Sequence, residues 1–93
     1  MKYSVIQKCK KQTGYEALPD EQIKVDLEKL KKILVEDEYF KILRETKVVF
    51  ILETKKGKKV SFFPSGKILI YRVEEEEAQE VVKKMSLLIN KTV

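Results

Sequence analysis

Apolar residues fall at two different spacings along this chain, and the change of spacing marks its parts. Residues 2 to 10 read as a first strand, with Tyr3, Val5, Gln7 and Cys9 on one face and Ser4, Ile6 and Lys8 on the other. A helix using Val5, Ile6 and Cys9 fits the same stretch nearly as well. Lys10 to Leu18, with Thr13-Gly14 inside it, reads as a loop or irregular extension. Pro19 and Asp20 look like a helix start. Ile23, Leu27, Leu30 and Leu34 recur at helical spacing, with Ile33 beside them, so a helix is expected over about 20 to 36. Asp26 is an alternative cap that would shorten it.

The period becomes two after Lys41. Lys47 to Glu53 is rich in β-branched and aromatic residues, and Lys55-Lys56-Gly57-Lys58-Lys59 reads as a hairpin turn. Val60 to Phe63 is a strand, Pro64-Ser65-Gly66 a tight turn, and Lys67 to Val73 a further strand. Residues 40 to 46 have room for one more short strand. Glu74 to Glu77 open a last helix, where carboxylates favour the positive end of the helix dipole. Ala78, Val81, Val82, Met85, Leu88 and Ile89 form its apolar stripe. The expected fold class is α+β: one twisted antiparallel sheet of four to five strands, with two helices packed on a single face.

Ninety-three residues make one domain, 1–93. Charged residues reach 38%, nearly all Lys and Glu, a thermophile-like composition. The chain has no His and one Cys, which excludes Ser-His and Cys-His nucleophile systems, His-based metal sites and an intrachain disulfide. No cofactor is implied, and an enzyme is not expected. No apolar run approaches the roughly 20 residues of a membrane span, and the start lacks a signal-peptide core. The lone Cys fits a reducing, cytoplasmic setting.

The net charge of +5 is unevenly spread. Residues 41 to 72 carry nine basic and two acidic residues, whereas residues 20 to 40 carry four and seven. The expected sheet is therefore basic and the expected helices acidic. An open basic sheet suits a phosphate backbone; Lys-rich turns also serve solubility and edge protection. Glu74 to Glu77 point in different directions around a helix and do not converge on one metal ion. Cys9 lies between Lys8 and Lys10, which lower a thiol pKa, but without a base it reads as an inert Cys.

One stretch is more specific. Phe62-Phe63-Pro64-Ser65-Gly66-Lys67-Ile68-Leu69, followed by Glu75-Glu76-Glu77-Ala78, resembles a repeat of the TATA-box-binding protein. Val25-Asp26-Leu27-Glu28-Lys29-Leu30 is similar to that family's first-helix motif, and Val48-Val49-Phe50 to its second-strand motif. The resemblance implies a half-saddle whose open face binds nucleic acid, with Phe side chains wedged between base steps. It places Phe63 at the wedge position, Ser61, Leu69 and Tyr71 on the DNA-facing side, and Lys67 as a phosphate contact. This chain holds one repeat where the family has two, lacks a second wedge Phe near Glu45 to Lys47, and lacks the family's Phe-Pro-Gly segment. True TATA recognition is therefore not expected.

The leading expectation is a non-catalytic nucleic-acid-binding module of low sequence specificity, for DNA or an RNA–DNA hybrid. Lys47, Lys58, Lys59, Lys67 and Arg72 would contact phosphates, with Phe63, Leu69 and Tyr71 on sugars or bases. A homodimer joined at strand edges would rebuild a continuous saddle. The rival expectation is a protein-interaction or assembly module using the same face. The charge around the apolar patch discriminates: a positive ring favours nucleic acid, mixed charge favours protein.

Overall fold

The computed structural model describes residues 3–8 by their backbone, and residues 14–21 and 23–92 with their side chains. The elements run β1 (Tyr3–Lys8), β2 (Gly14–Pro19), α1 (Leu27–Asp37), β3 (Phe40–Glu45), β4 (Phe50–Thr54), β5 (Lys59–Phe62), β6 (Ile68–Tyr71) and α2 (Glu75–Asn90). All strand pairs are antiparallel, in the order β1-β2-β6-β5-β4-β3. The chain is thus α+β. The sheet has six strands, more than the four to five expected, with β1 at the edge beside β2.

Two sequence expectations need correction. Residues 14 to 19 form a strand, not a loop: β2 pairs with both β1 and β6. Gly14 is required there, because a Cβ on it would collide with the Ile70 carbonyl oxygen. The first helix starts later than Asp20. Asp26 is its N-cap, and the Asp26 carboxylate accepts from the backbone N–H of Glu28 at 3.0 Å and of Lys29 at 3.4 Å. Residues 23 to 26 form no regular element before it and are held by a hydrogen bond from the Val25 N–H to the Pro64 carbonyl at 2.7 Å. The side chains of the alternation expected over residues 2 to 10, and Cys9 itself, lie outside the described residues.

Cross-strand partners share a sheet face, so the register sorts every side chain. Ala17, Ile68, Phe62, Phe50, Val60, Ile70 and Leu52 are aligned on one face and fully or almost fully buried. Leu30 and Leu34 of α1, and Val81, Val82, Met85, Leu88 and Ile89 of α2, join them in a single core. Both helices therefore cover the same face. A polar network ties them together at one end. Lys84 bridges to Asp37 at 3.1 Å and lies over the Tyr39 ring, and the Tyr39 hydroxyl donates to Glu80 at 3.4 Å. Lys56, in the β4–β5 turn, reaches Glu80 at 3.6 Å.

Asp26→Ala is expected to cost about 1 kcal/mol and to lower the melting temperature by about 4–8 °C, measured by thermal circular dichroism. Burial first, and then the Glu80 carboxylate, raise the Tyr39 phenol above its ordinary pKa of 10.0. A raised acid pKa means that the neutral form is favoured in the folded state. That contribution is whole below the ordinary phenol pKa and is lost as pH climbs through the raised value. In an ultraviolet alkaline titration, the absorbance step missing from Tyr39→Phe should lie on the alkaline side of an ordinary phenol.

Candidate binding face on the open side of the sheet

The face away from the helices is built by the alternate residues of the same strands. Across β3, β4, β5, β6 and β2 the register aligns Arg44, Ile51, Ser61, Leu69 and Glu16. The next row aligns Lys41, Glu53 and Lys59. Ile51, Phe63, Leu69 and Tyr71 are half-buried, and none of them belongs to the core cluster. Leu18 and Leu43 lie at the flanks with 37% and 42% of their surface exposed. Leu43 is the extra residue where the β3–β4 register shifts between Ile42 and Arg44.

Two hydroxyls sit in the middle of this apolar band. Ser61 is only 5% exposed, and its Oγ lies 3.3 Å from the Tyr71 hydroxyl. One proton serves that contact, leaving the other O–H able to donate to a ligand or partner. At the β5–β6 turn the Lys67 ammonium lies 5.6 Å from the Phe63 ring centre and 3.8 Å from the Glu16 carboxylate. These contacts fix Phe63, Lys67 and Glu16 on one side of the sheet.

The sequence-derived site residues divide accordingly. Lys59, Ser61, Phe63, Lys67, Leu69 and Tyr71 come together on the open face. Lys58 lies on the opposite side: it pairs with buried Thr54, one residue out of phase with Lys59. Lys47 lies at the sheet end, in a cleft also lined by Val25, Leu27, Phe50 and Pro64, next to the helix-covered face. Arg72 is exposed where the chain leaves β6, at a left-handed φ of 52°.

Lys41, Arg44, Ile51, Glu53 and Glu16 were missed by the sequence reading. Ile51 and Glu53 alternate with Phe50 and Leu52, and that alternation was a usable signal. Glu16 was hidden because its segment lacks strand-like composition. The face as built carries four basic side chains, Lys41, Arg44, Lys59 and Lys67, and two acidic ones, Glu16 and Glu53. Glu53 stands between Lys41 and Lys59, so the charge is mixed rather than a positive ring. Among the described residues no group of three or more His, Cys, Asp or Glu is placed to hold a metal ion. Among them, too, no helix is long and apolar enough to cross a membrane.

The face assignment separates two adjacent phenylalanines. Phe62→Ala, in the core, should cost about 3–5 kcal/mol, while Phe63→Ala should cost roughly 1 kcal/mol, both measured by urea unfolding. Equal losses would contradict the assignment. No protein-family model, no curated protein and no solved structure matches this chain, so the reading of its open face rests on the chemistry of the face itself.

Proposed function

We propose that the chain is a non-catalytic docking module that assembles with protein through the open face of its sheet. The observation that carries this reading is the composition of the face. An aliphatic and aromatic band of Ile51, Leu69, Phe63 and Tyr71 is bordered by charges of both signs. An apolar centre with a mixed polar rim is the anatomy of a protein interface. The acids count against a phosphate backbone, because Glu16 and Glu53 stand within the same surface and repel it. The two hydroxyls, one of them almost fully buried, add directional contacts without placing a charge at the centre.

A second reading, binding of DNA or an RNA–DNA hybrid, is favoured by a separate observation. Basic side chains outnumber acidic ones on the face, and Lys67 sits over Phe63 beside the half-buried Leu69 and Tyr71. The motif resembling a TATA-box-binding-protein repeat supports a half-saddle architecture, as does a sheet backed by helices on one side with Phe63 on the other. In that reading Lys59, Lys67 and Arg72 meet phosphates while Phe63, Leu69 and Tyr71 meet sugars or bases.

Photo-crosslinking decides between the two. A benzophenone amino acid replaces Leu69 on the face or exposed Val35 on α1, and the chain is irradiated in an extract of the cells that make it. A discrete nuclease-resistant adduct from position 69 and not from position 35 is the expected result. Nuclease-sensitive adducts, together with binding of labelled duplex or hybrid that weakens steeply with salt and in Phe63→Ala, would establish the second reading instead.

A further inference from the structure

The charge pattern of the open face is complementary to itself. The central row reads Arg44, Ile51, Ser61, Leu69, Glu16 from β3 to β2. From β3 to β2 it starts on a cation and reaches an anion, with aliphatic residues between them and a hydroxyl in the middle, and Gln7 of the edge strand β1 pairs beyond Glu16. We infer that the protein partner of this face is a second copy of the chain, stacked sheet to sheet about a twofold axis that lies between the sheets and runs parallel to β5. This rests on the reading of the face as a protein-docking surface and names its occupant.

The operator follows from the row. A twofold parallel to β5 exchanges the two sides of the sheet, so β3 of one copy lies over β2 of the other. Arg44 then stands over Glu16 of the second copy, Ile51 over its Leu69, and Ser61 over its own counterpart. The pairing occurs twice, as an isologous interface requires. A twofold running along the row instead would set Arg44 over Arg44 and Glu16 over Glu16, which like-charge repulsion disfavours. The charges thus select one of the two simple ways of stacking the sheet on itself.

The neighbouring rows conform except at Lys59. Glu53 comes over Tyr71 of the second copy, because Tyr71 lies as far from β5 on one side as Glu53 does on the other. Phe63 meets its counterpart near the axis as an aromatic pair. Lys59 also meets its counterpart, but it starts β5 and is exposed, so its amine can turn to solvent. The intrachain Lys67–Glu16 pair is long, at 3.8 Å, and both side chains are about a third exposed. It is weak and leaves Glu16 free to take a guanidinium. Stacked sheets lie about 10 Å apart, within reach of an Arg–Glu pair. Pairing through the β3 edge is discouraged by its bulge and by Lys41 and Arg44 along it.

Sedimentation equilibrium on the full chain tests the inference. Wild type is expected to be a dimer. Arg44→Glu and Glu16→Arg should each weaken it by about tenfold or more, and the double reversal, Glu16→Arg with Arg44→Glu, should restore it to within about threefold of wild type. Far-ultraviolet circular dichroism checks that each variant stays folded. A wild type that is monomeric at several hundred micromolar, or a dimer indifferent to both single reversals, overturns the inference. If it is overturned while position 69 still crosslinks to another protein, the docking reading stands and only the identity of the partner falls. If position 69 gives no protein adduct and the chain is monomeric, both fall.

Discussion

The pairing of β2 with β6 is the constraint on which the molecule depends. It joins the beginning of the chain to its end: four residue pairs, from Gly14 with Tyr71 to Ala17 with Ile68, make β2 a neighbour of the last strand. Only a glycine fits opposite Tyr71, because the backbones approach too closely for a Cβ. Once β2 is there and β3 is at the far edge, the link between them must cross the whole sheet. That crossing is α1, and it covers the β3 side, while α2, after β6, returns over β1 and β2. The two helices seal one face because the buried alternate residues of the strands, Phe50, Leu52, Val60, Phe62, Ile68 and Ile70, all lie there.

The same order makes the other face a surface. Every residue buried under a helix has neighbours pointing the opposite way, and these are not uniformly polar. Ile51, Leu69, Phe63 and Tyr71 stand where a solvated sheet would carry Thr, Lys or Glu. Sequence patterning for solubility alone gives no reason for that. The helix side, by contrast, has its charges engaged locally: Lys31 with Glu45, Lys84 with Asp37, Lys56 with Glu80. The half-buried apolar band lies on the side with no covering layer, while the helices expose Val35 and Leu87.

Most of the element order was legible because the core residues alternate cleanly. Phe50, Leu52, Val60, Phe62, Ile68 and Ile70 have the period of strands, and the α2 stripe has the period of a helix. The strand at 14 to 19 was not legible, for a physical reason. Gly-Tyr-Glu-Ala-Leu-Pro has poor strand propensity, and tertiary pairing on both sides overrides it. The early start given to the first helix had a similar cause: Ile23 keeps helical spacing with Leu27 and packs on the core, but from a segment outside the helix. At the open face, Lys59, Ser61, Phe63, Lys67, Leu69 and Tyr71 were placed together by alternation around one hairpin. Lys58 was not, because adjacent strand residues cannot both face the same way.

Segment charge and face charge are different quantities, and here they part company. Residues 41 to 72 are strongly basic as a stretch of sequence. The fold sends Lys58 and Lys47 away from the open face, and Lys56 to α2, while it brings in Glu16 from a distant segment. A sheet that looks like a phosphate-binding plate in the linear sequence becomes a surface where Arg44 and Glu16, of opposite charge, flank Ile51, Ser61 and Leu69. The β2–β6 pairing makes that difference, since without it Glu16 would not stand beside Leu69. The interaction that closes the fold therefore also determines what the open face can recognise.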